Sequence, residues 1–516
     1  MKQFKFDSIS AVKTTEGDVK GYFYGKTHIF KGIPYAQAER FQMPKQPDIR
    51  SEVLDATSYG MVCPLLYPEK PNGEMLVPHM YWPQSEHCQS LNIWSPSIDH
   101  EAKKPVLVWL HGGGFFAGSS IEQIAYDGEN LSEFGDVVVV SLNHRLNILG
   151  FMDLSSFGAK YKNSANVGLA DIVEALRWLK RNIKNFGGDP DNITLFGQSG
   201  GGMKVSAMMQ IAEAAELFHK GIIMSGVAGD FMPAYQNSDG RVFVEALMKE
   251  LNLKSVEQLE SIPYPIMAAA YLKLAPVYMQ KGEYVGNNPR IDDYYLGEPQ
   301  MTSFSEKAKT TPLMIGTVFG EFSFAPIKYN KYQLTEPEML NILKEKFKDG
   351  TDLIVAEFKK AYPDKKIVDV LHLDTLFRPL TKEYIKARVA NNSAPTYSYQ
   401  FTLDFACQFG KPAWHCADIP FVFHNVDKVP VANITGVSEK LQDQIAQAII
   451  EFAYKGNPNH QDLPEWKSCQ KDDEVTMIFD ENCEVKHNFD ELLIQEILKV
   501  CPTLSIAELM AASIQH

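Results

Sequence analysis

Short apolar runs recur along the chain, with longer amphipathic stretches between them. Runs of this kind, bounded by glycine, proline or polar residues, are typical of strands buried on both faces of a parallel sheet. They lie at 106–110, 137–142, 193–196, 221–224, 313–317 and 397–401. Residues 170–185 carry apolar positions at helical spacing and end at a Gly-Gly-Asp-Pro breaker. The alternation predicts an α/β fold, with a largely parallel central sheet flanked by helices.

Two regions depart from this alternation. Residues 21–30 alternate between apolar and polar positions, which predicts a short antiparallel sheet near the N-terminus. The stretch from about 230 to 310 is predicted to be a helix-rich, polar, cap-like insertion. No internal repeat or long linker interrupts the sequence, so we expect one domain over residues 1–516 with insertions.

Composition and charge narrow the choice of partners. The chain has 516 residues, 45% hydrophobic residues and a formal net charge of −14, which argues against nucleic acid or anionic membranes as partners. The N-terminal residues lack the apolar core of a signal peptide, and no apolar stretch reaches membrane-spanning length. The seven cysteines show no metal-ligand spacing. We therefore expect a cytoplasmic protein with reduced thiols that needs no metal or organic cofactor.

The most specific local pattern is Gly-Gln-Ser-Gly-Gly at 197–201. It follows an apolar run and precedes an Ala/Met-rich helical stretch at 203–211, which predicts a strand, a sharp turn and a helix with Ser199 at the apex. Glycines two positions to either side permit so tight a turn. The helix end would direct N–H groups and a positive dipole toward the same point. This arrangement suits a nucleophile that attacks a carbonyl carbon.

A second glycine cluster, His-Gly-Gly-Gly-Phe, follows the strand at 106–110. Successive glycines let bare backbone N–H groups approach a ligand closely. A phosphate-binding loop would need a following Lys-Ser/Thr, whereas Phe-Phe-Ala follows here. Together with the serine turn, the cluster predicts an oxyanion hole that contains Gly113 and Gly114.

These blocks resemble those of the type-B carboxylesterases, the α/β-hydrolase-fold family that includes bacterial para-nitrobenzyl esterases and the cholinesterases. The resemblance extends over nearly the whole chain. Further matching blocks lie at 32–36, 90–94, 143–146, 166–171, 186–192, 452–458 and 464–466. It implies the α/β-hydrolase fold and a structural ion pair between Arg40 and Glu86.

The resemblance also selects partners for Ser199. The family's acid lies in a Gly-x-x-x-x-Glu segment, which matches 316–321 and implies Glu321. The family's histidine precedes a [DE]-x-Pro-[FY]-x-Phe segment, which matches 418–423 and implies His415. The order serine, acid, histidine is the one that this fold requires. The resemblance implies that Glu321 orients His415, which takes the Ser199 proton.

Two positions beside the serine differ from most relatives, which carry Glu before it and Ala after it. Gly200 retains the backbone N–H that the family uses as a third oxyanion donor. Gln198 removes a negative charge that would favour the imidazolium form of His415. We therefore predict that activity persists to more acidic pH than in a Gln198→Glu variant.

The resemblance suggests roles for three further residues. Ser225 aligns with a family serine that lies close to the acid. Either it donates a hydrogen bond to Glu321, or it is an ordinary hydroxyl at a strand end. Cys63 and Cys88 fall where secreted relatives close a disulfide, so we expect them to be neighbours and, in the cytoplasm, thiols.

The resulting prediction is a serine hydrolase that cleaves small-molecule carboxylic esters through an acyl-enzyme intermediate, as a monomer or homodimer. An amidase or carbamate hydrolase could use the same machinery, because ester and amide differ mainly in leaving-group protonation and pocket shape. A non-catalytic binding protein on the cholinesterase scaffold is the alternative of another class. Such proteins typically lose a triad residue, whereas this chain retains all three.

Overall fold

The computed structural model describes residues 2–6, 10–66, 77–227, 238–300, 302–323 and 326–502. Parts of the predicted cap-like stretch and of the segment after Glu321 lie outside these residues. The chain forms two compact units. The first comprises Met1–Ile222 and Asp230–Thr311, and the second comprises Ile223–Gly229 and Pro312–His516. The expectation of one domain with insertions stays a prediction.

The first unit is built on a sheet with the strand order β1-β3-β4-β6-β8-β7-β9-β10. Its strands, with the small pair β2 and β5, are β1 (Phe4–Lys5), β2 (Val19–Lys20), β3 (Tyr22–Tyr24), β4 (Thr27–Pro34), β5 (Leu54–Asp55), β6 (Ser90–Ser95), β7 (Lys104–Leu110), β8 (Val138–Leu142), β9 (Gly188–Gln198) and β10 (Lys220–Met224, whose last two residues belong to the second unit).

Pairing in this sheet follows the hydrophobic pattern. β7 pairs in parallel with both β8 and β9, and nearly every residue of β7 and β8 is buried. β3 and β4 form the antiparallel hairpin predicted from the alternation at 21–30, and β6 continues it with antiparallel pairs to β4 and β8. The predicted parallel strands and N-terminal hairpin are therefore confirmed.

The helices of the first unit are α1 (Glu129–Gly135), α2 (Asn147–Phe151), α3 (Val167–Asn182), α4 (Gly200–Met208), α5 (Arg241–Glu250), α6 (Tyr264–Met279) and α7 (Glu306–Thr310). The predicted helix at 170–185 is α3 with a following 3-10 turn. The predicted helix at 203–211 begins three residues earlier than expected, because the chain enters α4 directly after Ser199.

The predicted helix-rich region contains its helices between residues 241 and 279, whereas residues 280–300 form turns and irregular chain, and the helical part is less polar than expected. α6 is rich in alanine, tyrosine and leucine. It packs with α5 and with Cys63, Cys88 and Leu146 in one buried apolar cluster. Burial of this face stabilises the helix more than its propensity does, which explains why a segment with a proline inside it stays helical.

The second unit carries the strand order β11-β12-β15-β16, with β11, β12 and β15 parallel and β16 antiparallel. Its strands are β11 (Leu313–Val318), β12 (Thr396–Phe401), β13 (Asp404–Phe405), β14 (Lys411–Pro412), β15 (Val475–Phe479) and β16 (Glu484–His487). Its helices are α8 (Glu336–Phe347), α9 (Thr351–Ala361), α10 (Phe377–Ala390), α11 (Ile419–Val422), α12 (Ser438–Lys455) and α13 (Glu491–Val500). Strands β11 and β12 confirm the predicted runs at 313–317 and 397–401.

Candidate active site

Ser199 lies at the sharp turn between β9 and α4, where its backbone adopts φ 58° and ψ −126°. A positive φ at a residue other than glycine is uncommon and stores about 1–3 kcal/mol of strain. Glycine is required on both sides, because a Cβ at Gly197 would meet the backbone of Gly201, and a Cβ at Gly201 would overlap the carbonyl oxygen of Leu110. Ser199 is partly exposed, whereas its two neighbours are buried. The turn therefore leaves the serine accessible in a densely packed surrounding.

The helix that begins after Ser199 adds a positive backbone end. The first four N–H groups of an α-helix have no partner within the helix. In α4 the Ser199 carbonyl oxygen accepts a hydrogen bond from the Met203 N–H at 3.1 Å, so the helical bonding starts at the serine itself. The positive end of the helix dipole stabilises negative charge near Ser199.

The loop after β7 packs against the Ser199 turn. A Cβ at Gly112 would lie 3.6 Å from the Ser199 Cβ, and a Cβ at Gly200 would overlap the N and Cα atoms of Gly114. Gly113 and Gly114 have φ values of 85° and 60°, which glycine adopts without strain. The glycines therefore allow a closer approach of two backbone segments than any other residue permits.

Three backbone donors at this junction are left without a partner. Within the described part of the chain, the N–H groups of Gly113, Gly114 and Gly200 donate no hydrogen bond. Gly113 and Gly114 are partly exposed. More than about nine in ten buried backbone N–H groups are paired in folded proteins, so three unpaired donors beside one serine indicate a site for a negatively charged ligand atom.

In the second unit, Glu321 follows β11 and His415 follows β14. Glu321 Oε2 lies 2.5 Å from His415 Nδ1, and both residues are buried. A backbone bond from the His415 N–H to the Glu321 carbonyl oxygen at 2.7 Å and a bond from the Val318 N–H to Glu321 Oε1 at 3.0 Å fix the pair. A carboxylate on Nδ1 keeps the proton there and leaves Nε2 to act as a base. The two residues that the motifs indicated are therefore brought together.

Two phenylalanines pack on the His415 ring. The Phe377 ring is stacked at a centroid distance of 5.4 Å, and the Phe322 ring is tilted at 4.8 Å. Phe322 is 42% exposed, whereas Phe377 is buried. Aromatic packing fixes the orientation of the imidazole. No sequence pattern indicated these contacts, although Phe322 is adjacent to Glu321.

Two further buried carboxyl groups surround this pair. Burial, and then the negative charge of Glu321, raise the pKa values of Asp374 and Asp418 to about 7. Asp418 accepts a hydrogen bond from the Tyr399 hydroxyl at 3.0 Å, and Asp374 accepts bonds from three backbone N–H groups at the start of α10. Near neutral pH these two groups therefore carry less negative charge than ordinary carboxyl groups do. Asp418 is the acid of the [DE]-x-Pro-[FY] pattern, whereas nothing in the sequence indicated Asp374.

The hydrogen bond from Ser225 to Glu321 is a wrong prediction. In the residues that the structure describes, the buried Ser225 hydroxyl has no hydrogen-bond partner. Its backbone N–H donates to the Gly316 carbonyl oxygen at 2.8 Å, and its φ of 45° lies in the left-handed region. The backbone hydrogen bond to β11 fixes the position of this residue. Ser225 therefore fits the other interpretation, an ordinary residue at the end of a strand.

Two structural predictions outside the site are confirmed. Arg40 pairs with both Glu86 oxygens and also donates to the carbonyl oxygens of Leu259 and Ile262, at 2.6 and 2.7 Å. Cys63 and Cys88 are neighbours, and a hydrogen bond with Cys63, together with burial, raises the pKa of the Cys88 thiol. Both cysteines are free.

Within the described ranges, no cluster of His, Cys, Asp or Glu side chains could hold a metal ion. None of the helices described is both long and apolar enough to cross a bilayer.

The sequence model of the carboxylesterase family matches residues 8–495. The chain belongs to the carboxylesterase family. It is accordingly a serine esterase, an enzyme that hydrolyses carboxylic esters.

Individual relatives agree with the family assignment. The chain is similar to a para-nitrobenzyl esterase of Bacillus subtilis, with 32% identity over 496 residues that cover 92% of this chain and 96% of the relative. A solved esterase from anaerobic Clostridium hathewayi that can hydrolyse aliphatic aromatic polyesters is 51% identical, with a TM-score of 0.95 over 97% of this chain and 100% of that one. A thermophilic PNB esterase has a TM-score of 0.75 at 30% identity over 94% of this chain and 99% of its own. The predicted α/β-hydrolase fold, a large and mostly parallel sheet flanked by helices, is confirmed.

Proposed function

We propose that Ser199, His415 and Glu321 are the catalytic triad of this esterase, and that Gly113, Gly114 and Gly200 form its oxyanion hole. The observation that carries the proposal is the group of three unpaired backbone donors beside a strained, accessible serine. The buried hydrogen bond between Glu321 and His415 supports the assignment of acid and base.

Acylation follows from these groups. Ser199 Oγ attacks the ester carbonyl carbon while its proton passes to His415 Nε2, and the carbonyl electron pair moves onto the oxygen. The N–H groups of Gly113, Gly114 and Gly200 bind this oxyanion, each contributing about 3–4 kcal/mol to the barrier reduction. When the oxyanion collapses, the bond to the alcohol oxygen breaks, and His415 gives its proton to the departing alkoxide.

Deacylation repeats the steps with water. His415 takes a proton from a water molecule that attacks the acyl carbon, the bond to Ser199 Oγ breaks, and the proton returns to that oxygen. The products are one carboxylic acid and one alcohol. Glu321 holds the imidazole and stabilises its charged form throughout.

The substrate class is proposed from the relatives. The identity of 51% to an esterase that can hydrolyse aliphatic aromatic polyesters supports esters of aromatic acids, in small molecules and in polymer chains, as substrates. The partly exposed Phe322 ring on His415 supplies an apolar surface for such a ring. We also propose that the chain acts as one domain in the cytoplasm, as a monomer or homodimer.

The test is a panel of p-nitrophenyl esters of increasing acyl length, measured with the wild type, Ser199→Ala and Ser156→Ala. Ser156 lies in a short 3-10 helix, and its substitution controls for the loss of a hydroxyl. We expect at least a 1,000-fold (roughly) loss of kcat in Ser199→Ala only. Equal activity of the two variants would contradict the proposal. A p-nitroanilide series distinguishes amide from ester cleavage.

A further inference from the structure

Lys204 is a buried lysine in the second turn of α4, directly beneath the Ser199 turn. Its side chain is fully buried, and its Nζ donates a hydrogen bond to the His111 carbonyl oxygen at 2.8 Å. His111 is the residue before Gly112, at the start of the glycine loop. Lys204 therefore joins the helix that carries one oxyanion donor to the loop that carries the other two.

Apart from Lys204, the contact between α4 and the end of β7 is made by backbone atoms. Gly201 is three residues before Lys204, so both lie on one face of α4. A Cβ at Gly201 would overlap the Leu110 carbonyl oxygen and would lie 3.1 Å from that of His111. This face of α4 therefore packs against the end of β7, and the Lys204 side chain adds a hydrogen bond to that contact.

The charges around Lys204 do not stabilise its ammonium form as a partner in an ordinary ion pair would. Burial lowers the pKa of Lys204 to about 7, and Glu122 opposes that effect only in part. The other titratable groups facing it are His111 and His144, whose rings stack at 5.1 Å and whose pKa values are lowered by burial and by the Lys204 charge, and Arg145 beside His144. A lysine is held here despite its desolvation. The amine and the ammonium both carry an N–H for the His111 carbonyl, so the bond survives titration.

A loop of three glycines needs such an anchor. Glycine has the largest conformational freedom to lose, and Gly113 and Gly114 both adopt left-handed backbone angles. The N–H groups of this loop and of Gly200 must converge on one oxygen atom. A displacement of about 1 Å in such a site can lower the rate about 100-fold.

We propose that Lys204 is a positioning residue of the oxyanion hole, whose hydrogen bond to the His111 carbonyl oxygen sets the loop of Gly113 and Gly114 against the helix of Gly200. The inference rests on the proposed function, because it assigns these amides to the transition state. It predicts that loss of the bond lowers kcat and leaves KM unchanged, since the donors act on the oxyanion and not on the ground-state ester.

The test compares Lys204→Met, which removes the donor, with Lys204→Gln, which keeps an uncharged N–H donor on a shorter side chain. Lys220→Met is the matched control. Lys220, at the start of β10, is also a buried lysine of the first unit, and its pKa is lowered to about 8. Its ammonium group, however, donates a hydrogen bond to Asn192 and not to the glycine loop. The measurements are kcat and KM for a p-nitrophenyl ester, and the inhibition constant of a trifluoromethyl ketone that adds to Ser199.

We expect kcat of Lys204→Met to fall about tenfold or more at unchanged KM, with Lys204→Gln between it and the wild type. The inhibition constant of the ketone should rise in proportion to the fall in kcat/KM, because the ketone adduct carries the oxyanion. Lys220→Met should stay within about twofold of the wild-type kcat.

The inference is overturned by an unchanged kcat in Lys204→Met, by equal losses in Lys204→Met and Lys220→Met, or by a rise of KM that accounts for the loss. If Lys204→Met does not fold, Lys204→Leu, which also lacks a donor, takes its place: a lower kcat at unchanged KM supports the inference, and wild-type kinetics contradict it. A failure of the proposed function would give a different result, because Ser199→Ala would then retain the wild-type activity.

Discussion

The two regions that the proposed function assigns to catalysis are built in different ways. Around Ser199 the proposed chemistry depends on backbone groups, and glycines at 112–114 and 200–201 allow two segments to come into contact. Around His415 it depends on side chains: Glu321 on Nδ1, two phenyl rings on the imidazole and two nearby carboxyl groups whose pKa values are raised to about 7. Steric exclusion of side chains determines the geometry of the first region, and charge determines the properties of the second. Each should therefore respond to a different class of substitution.

The largest effect is expected from a change of charge at His415. Glu321→Gln keeps the shape of the side chain but cannot stabilise the imidazolium, so kcat should fall about 1,000- to 10,000-fold at a nearly unchanged melting temperature. Steady-state kinetics and a thermal melt measure both. The control is Glu298→Gln in the first unit, whose carboxyl accepts from Ser206 and Tyr295, and which should keep the wild-type kcat.

The difference between the two regions also explains what the sequence could predict. A turn that excludes side chains imposes glycines at fixed positions, so Ser199 and the loop at 111–114 are visible as local patterns. Glu321 and His415 are 94 residues apart and meet only after folding. Spacing could not select them, and their identification depended on family motifs. Phe322, Phe377, Asp374 and Lys204 act through contacts with distant segments, and no local pattern marks such contacts.

A methyl group should be enough to damage the first region. Gly200→Ala introduces the residue that most relatives carry, but here its Cβ would overlap the backbone of Gly114. The loop would be displaced, and we expect kcat to fall about 100-fold. Gly282→Ala is the control, since nothing lies within 4 Å of its Cβ and the cost is its φ of +75° alone. Wild-type kcat in Gly200→Ala would show that the loop does not need this close approach.

A smaller effect is expected from the charge next to the serine. Gln198→Glu would introduce an anion that favours imidazolium, so the acidic limb of kcat/KM should move to higher pH, by about one unit. The wild type should accordingly stay active at more acidic pH than the variant. Coincident acidic limbs in the two pH profiles would count against this account of Gln198.

The smallest expected effect is on stability, and it comes from a buried acid of the second region. The pKa of Asp418 is raised from 3.8 to about 7, so the folded state holds this proton more tightly than the unfolded state does. The stability gained is present below about pH 4 and is lost as the pH rises through 7. Asp418→Asn cannot ionise, and its melting temperature should fall less than that of the wild type between pH 6 and pH 8.5 (roughly). An equal fall in both proteins would contradict the raised pKa of Asp418.

The central claim is that Ser199 is a nucleophile activated by His415 beside unpaired backbone amides. Reaction with a fluorophosphonate, followed by mass spectrometry of the peptides, tests it most directly. The account predicts one phosphonyl group per wild-type chain, on Ser199, and much slower labelling of His415→Ala. Labelling of a different residue, or no labelling of folded wild-type protein, would contradict it.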